Sequence, residues 1–214
     1  MSGRVELEAM VSELGRLGAA TLGECGALRF PPRMRPVWPG AGLAASAYPV
    51  GCTPGDNLAI HVAVTRAPAG SVLVVDVGDV QDRGYWGEVL TTAAMARGIS
   101  GLVIDGGVRD VAALERLGFP AFSSRVALRG ATKSARGTAG TTVSVAGVPV
   151  ARGDWVVGDV DGVVVVPGAA LVEVLAAGRG RTEAEAHYLE ALRDGSTTVD
   201  LLGLDASLID TAET

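Results

Sequence analysis

Short apolar runs alternate with helix-length segments through the middle of this 214-residue chain, and no other feature constrains its fold as much. Residues 72–77, 102–105 and 121–123 are strand-sized and rich in valine, isoleucine and phenylalanine, while residues 88–97 and 111–117 between them have helical spacing. A strand, a helix and a second strand fold as a crossover, so this stretch predicts parallel strand pairs in an α/β core. After Gly130 the character changes. Residues 142–145, 148–151, 155–160 and 163–166 read as strands joined by tight turns, and Asp161-Gly162 between two valine-rich runs is a hairpin signal. They predict a β layer closed by a helix over residues 169–193, broken at Gly178 to Gly180.

Upstream, Val5, Leu7, Met10, Val11, Leu14 and Leu17 fall at helical spacing, which predicts an amphipathic helix over residues 4–19 packed on the core. Pro31, Pro32, Pro36 and Pro39 then impose an extended connection. A strand over residues 43–50 should lead into the turn Thr53-Pro54-Gly55-Asp56-Asn57, with Asn57 as the cap of a helix over 58–65. The chain divides into an N-terminal helix and connection (1–39), a single α/β domain (40–203) and an acidic tail (204–214).

Composition removes several classes of function. With 48% hydrophobic and 20% charged residues the chain can bury a core and is not of the disordered class. Its apolar runs fall far short of the roughly 20 residues that cross a bilayer, and the N-terminus lacks the basic start of a secretory leader, so a cytoplasmic location is expected. A net charge of −6 opposes phosphate neutralisation, which argues against nucleic acid as a partner. Cys25 and Cys52 stand far apart and read as free thiols. Lys133 is the only lysine, hence the only residue that could form a Schiff base with a carbonyl substrate.

Two motifs carry chemistry. In Gly84-Tyr85-Trp86-Gly87-Glu88-Val89-Leu90 a glycine and a carboxylate open a helix, where free N–H groups attract an anion. In Ile104-Asp105-Gly106-Gly107-Val108-Arg109-Asp110 two glycines follow a buried strand and an Arg-Asp pair opens the next helix. Either piece alone reads as a cap or a surface ion pair. Together they place a cation, two carboxylates and an anion nest at successive strand ends. His61 reads as a packed core residue, His187 as surface and Asp161 as a turn residue; Asp79, Gln81 and Asp82 read equally as a solvated loop or as the rim of a substrate site, and Lys133 equally as a surface residue or as one that orients a distal carboxylate.

Glu88 and Arg109-Asp110, with twenty residues between Glu88 and Arg109, resemble the signature of the RraA-like proteins, a family that includes the class II 4-hydroxy-4-methyl-2-oxoglutarate / 4-carboxy-4-hydroxy-2-oxoadipate aldolases. The resemblance extends through Arg129 to Lys133 and Gly153 to Pro167, and covers residues 40–203. It implies a swivelling β/β/α-type fold, a mixed sheet with flanking helices, assembled as homotrimers or homohexamers with sites between subunits. It further implies that Asp110 holds Mg²⁺ or Mn²⁺, that Glu88 acts near the ion through water, and that Arg109 contacts a 2-oxo oxygen. The backbone of Gly87, Glu88, Val89 and Leu90 would hold the carboxylate of a small 2-oxo acid, and Glu185 would complete a neighbour's site. Some members carry another acid three residues after the aspartate, where this chain has Ala113.

The residue types agree with a hard metal. Two histidines and two unpaired cysteines supply little for zinc, whereas carboxylates and water suit Mg²⁺ or Mn²⁺. The expected function is metal-dependent retro-aldol cleavage of a 4-hydroxy-2-oxo acid to pyruvate, with oxaloacetate decarboxylation as a side activity. The alternative is a protein-binding regulator resembling the ribonuclease E inhibitor. A methyltransferase reading finds only Val75-Asp76-Val77-Gly78-Asp79-Val80, which lacks a multi-glycine turn.

Overall fold

The computed structural model describes residues 2–209, with side chains from residue 6 onward. Helix α1 (Ser2–Glu24) leads through the short strands β1 (Leu28–Arg29) and β2 (Arg35–Pro36) to the long strand β3 (Leu43–Cys52). Alternating elements follow: α2 (Leu58–Arg66), β4 (Ser71–Asp76), β5 (Gly84–Trp86), α3 (Glu88–Met95), β6 (Gly101–Val108), α4 (Val111–Leu117) and β7 (Ala121–Val126). Strands β8 (Gly137–Ala139), β9 (Val143–Val145), β10 (Val148–Val150), β11 (Trp155–Gly158) and β12 (Val163–Val166) precede the helices α5 (Leu171–Arg193) and α6 (Thr198–Leu202).

One mixed sheet carries the fold, in the order β1-β12-β11-β3-β4-β6-β7-β2, with β5 added on β6 and β8 on β3. Strands β3, β4, β6 and β7 are parallel, as the alternation predicts. A parallel sheet is covered on both faces and needs no polar side, so every residue of β6 is buried. On one face Ile60, Leu73, Ile104 and Leu114 pack beneath α2, α3 and α4; on the other, Val72, Val74, Val103 and Phe122 meet the β9–β10 hairpin. A third cluster, including Leu14, Leu22, Val164 and Val174, fixes α1 and α5 on β11 and β12. Each such side chain contributes about 1.5–3 kcal/mol by leaving water.

Several expectations are corrected. Residues 155–166 form the predicted hairpin but not a separate layer: β11 pairs with β3, so both strands extend the main sheet, and only β9–β10 stands apart. All four residues of β12 are buried, which requires cover on both faces. Helix α5 runs through Gly178 and Gly180 without a break. A Cβ on Gly178 would lie 2.8 Å from Leu17 Cδ1, so this glycine admits α1 rather than ending a helix. Helix α1 extends past residue 19 across a kink at Gly18 (φ 75°), and Asp159 accepts from Ala19 N at 2.7 Å to cap the second segment. The chain after Gly203 begins with a short 3₁₀ turn (Ala206–Leu208), and residues 210–214 lie outside the described residues. No described helix is long and apolar enough to cross a membrane.

Candidate active site

The connections after β3, β5, β6 and β7 converge at one end of the parallel strands around a cavity of about 210 Å³. Most of the residues singled out from sequence meet there: Gly87, Val89, Leu90, Arg109 and Asp110 all line it.

Glycine packing makes the corner possible. Gly106 and Gly107 lie inside β6 rather than beyond it, because a Cβ on Gly107 would fall 2.3 Å from Arg83 O and 2.6 Å from Ala127 Cβ. Past the strand end, Arg109 N donates to Trp86 O at 2.9 Å. Asp110 then adopts the left-handed region (φ 57°), which aspartate tolerates better than most residues, and its carboxylate turns back toward α3. Its Oδ2 accepts from Glu88 N at 3.1 Å and lies 3.8 Å from Arg109 Nε. Gly87 leaves the space for it, since a Cβ there would stand 2.4 Å from that same oxygen. One first-turn amide of α3 is therefore used by Asp110, while those of Val89 and Leu90 have no acceptor within the helix.

The Glu88 side chain takes a different direction. Its carboxylate accepts from Arg116 of α4 at 2.7 Å, so the structure brings the backbone of Glu88, not its acid, to Asp110. Glu185 pairs with Arg181 one turn earlier on α5 and does not line this chain's cavity.

Three lining residues were read otherwise from sequence or left open. Asn57 does not cap α2 with its side chain. Asp56 Oδ1 accepts from Leu58 N at 2.9 Å, and Asn57 Nδ2 donates instead to Tyr85 O at 2.8 Å across the floor. His61 is half-buried on the cavity wall rather than packed in the core, with Nε2 shielded and lacking a hydrogen-bond partner. Burial, and secondarily Lys133, lowers its pKa, so the imidazole is neutral at pH 7. The spacing of four residues from Asn57 to His61, one helical turn, was the signal that both share a face. Lys133 lines the same cavity, its Nζ donating to Ala131 O at 3.4 Å. The thiols stay outside this chemistry: Cys25 and Cys52 are free, and burial pushes Cys52 up to about 12.

Asp110 is 43% exposed, and no described cluster of three or more His, Cys, Asp or Glu side chains could hold a metal. An ion here would draw one carboxylate from this chain and most of its ligands from water and substrate. That donor set fits Mg²⁺ or Mn²⁺, which keep water and bind through one or two carboxylates, and does not fit zinc.

The α/β scaffold thus gathers a half-exposed carboxylate, a guanidinium and the first turn of α3 at the ends of its parallel strands. The sequence profile of the RraA-like family, described as Aldolase/RraA, matches residues 14–165, and the chain belongs to this family. A Halalkalibacterium halodurans protein bearing the provisional name 4-hydroxy-4-methyl-2-oxoglutarate aldolase is 38% identical over 113 residues, which is 53% of this chain and 54% of that protein, so the match spans about half of each. The crystal structure of an uncharacterized protein from Pseudomonas syringae pv. tomato superposes with a TM-score of 0.76 at 27% identity, covering 89% of this chain and 94% of that one. The RNA-processing inhibitor RraA from Thermus thermophilus gives 0.59 at 25% identity, covering 66% and 85%.

Proposed function

We propose that the chain is a divalent-metal-dependent lyase that cleaves a 4-hydroxy-2-oxo acid to pyruvate and a second carbonyl compound, and decarboxylates oxaloacetate. The observation that carries this reading is the corner in which Gly87, by lacking a Cβ, lets Asp110 approach the start of α3 beside Arg109. The free amides of Val89 and Leu90, at the positive end of α3, receive the carboxylate of the pyruvyl half. Arg109 donates to the 2-oxo oxygen and stabilises the negative charge that gathers there as the C3–C4 bond, or the bond to the leaving carboxylate, breaks. Asp110 would hold Mg²⁺ or Mn²⁺, which when bound supplies Lewis-acid polarisation of the 2-oxo group. Trp86 is buried, stacks on Phe119 at 5.7 Å and donates to Thr91 Oγ1, closing the apolar wall beneath the reacting carbons. Lys133, which also lines the cavity, is assigned to the distal end of the substrate.

Glu185 is assigned to a neighbouring copy in a trimer or hexamer, where it accepts the 4-hydroxyl proton. This is supported by the exposed distal half of α5 and by apolar side chains left in solvent, Val89 (80%) at the cavity and Val126 (63%) and Leu128 (83%) at the end of β7 and just beyond it. The same exposed apolar side chains favour the second reading, a surface that binds another protein.

The deciding assay follows pyruvate release from 4-hydroxy-2-oxo acids and oxaloacetate, with Mg²⁺ and then with EDTA. Turnover that EDTA stops and Mg²⁺ or Mn²⁺ restores is expected. Absence of pyruvate release from the whole panel with either metal removes the lyase reading in favour of the regulator.

A further inference from the structure

The loop over residues 130–135, which brings Lys133 to the cavity, has little packing of its own. Its residues are half-buried or exposed; Gly130 is bridged to Gly84, and beyond it the backbone-to-backbone bonds run to a single turn: Asn57 N donates to Thr132 O and Thr132 N to Gly55 O, each at 2.9 Å. What fixes the loop from within is one buried side chain, Asp56, 3% exposed. Its Oδ2 accepts from Thr132 Oγ1 at 2.7 Å, Ser134 N at 2.6 Å and Ala135 N at 3.1 Å. Its Oδ1 accepts from Leu58 N and ties the arrangement to the start of α2. Three donors on one carboxylate oxygen, drawn from a segment some 78 residues away in sequence, make a clip whose strength depends on full negative charge. The neighbours of Asp56 in the turn hold the other wall, since Gly55 N donates to Tyr85 Oη at 2.8 Å and Asn57 Nδ2 to Tyr85 O. The turn over residues 55–57 therefore sets the distance between the two sides of the cavity.

We propose that Asp56 is a positioning residue for substrate selection: by clipping residues 132–135 it holds Lys133 where the ammonium meets the distal carboxylate of a 2-oxo dicarboxylic acid. The proposal rests on the assignment of Lys133 to the distal end of the substrate. Asp56 does not line the cavity; it acts through the loop. Loss of its charge should therefore weaken dicarboxylate recognition selectively and leave the pyruvyl end, built on α3 and Arg109, as it is.

The test measures binding of 2-oxoglutarate and of pyruvate to the full chain with Mg²⁺ by calorimetry, together with hydrogen exchange at Ser134 and Ala135. Asp56→Asn keeps the shape and loses the charge. It should weaken 2-oxoglutarate by about tenfold, the scale of a lost charge-assisted hydrogen bond, with pyruvate changed less than about twofold. Lys133→Met should show the same selective loss, and the double variant no more than either single one. Should Asp56→Asn not fold, Thr132→Val removes one donor and should shift the same selectivity in the same direction by about threefold. Unchanged exchange at Ser134 and Ala135 would overturn the clip. Faster exchange with equal losses for both acids would overturn the positioning role. If Lys133→Met leaves 2-oxoglutarate binding intact, the assignment of Lys133 fails and the proposal with it, whereas absence of lyase turnover alone leaves the binding test standing.

Discussion

The clip formed by residues 55–57 with 132–135 and the corner formed by Gly87, Arg109 and Asp110 face the same cavity, yet the chain bonds them very differently. At the clip the carboxylate of Asp56 is buried and takes four donors. At the corner the carboxylate of Asp110 is 43% exposed, takes one amide at 3.1 Å and stands 3.8 Å from a half-exposed guanidinium. Two aspartates of the same chemistry thus have opposite uses. The first spends its charge inside the protein, where it shapes a wall. The second leaves its charge half in solvent, on a left-handed backbone that few residue types adopt.

The comparison breaks most sharply at the corner. Asp110→Ala should abolish metal-dependent turnover, a loss of about 10³-fold or more on the scale of removing a principal charge stabiliser, while circular dichroism and melting temperature stay near wild type. Near wild-type kcat/KM in the purified variant would remove the site. Gly87→Ala sharpens the same point, because it retains the carboxylate but drives a methyl to 2.4 Å from it. It should lose less, about 10²-fold, by displacing Asp110 rather than deleting it. If Gly87→Ala turns over like the wild type, the close approach is structural only.

Lys133, which lines the same cavity, gives a test of intermediate size. It is the only lysine, so an imine mechanism would have to use it. Placed to meet a distal carboxylate, it should tolerate replacement by another cation: Lys133→Arg should retain turnover within about tenfold, and borohydride added with pyruvate should leave protein mass unchanged. A pyruvyl adduct of 133, with turnover indifferent to EDTA, would replace the metal reading by a Schiff-base one.

The parallel core was legible because its signal is local: valine runs of strand length separated by helical spacing state their own pairing mode. So was the position of the Arg109-Asp110 pair, since it follows a buried strand directly and opens the next helix. Less legible was anything that depends on a distant partner. Gly178 reads as a helix breaker until Leu17 is seen against it. Glu88 pairs its carboxylate with Arg116, 28 residues later, a contact that no local pattern announces. Asn57 reads as a cap because nothing nearby announces Tyr85, and the strands β1, β2, β5 and β8, two or three residues each, are too short to show a period. The Asp56 clip is the extreme case, since its donors are amides, which every residue type offers and no sequence pattern marks.

The smallest expected effect concerns the stability that the Asp56 clip contributes and how it depends on pH. Burial raises the carboxyl of Asp56, but the bonds from Ser134, Leu58, Thr132 and Ala135 outweigh it and hold the group at about 2 rather than the ordinary 3.8. A carboxyl lowered by folding stabilises the native state at any pH above its unfolded value, and that contribution fades as pH falls toward the folded one. For Asp56 it is complete above about pH 5, on the order of 2 kcal/mol, and diminishes between about pH 4 and pH 2. Asp56→Asn has no such titration. The stability difference between wild type and this variant, from urea unfolding, should therefore narrow by about 1 kcal/mol between pH 5 and pH 3. A gap for Asp56→Asn that stays constant with pH would mean that its carboxylate is not the ionic centre of the clip, and that the amide bonds alone hold the loop.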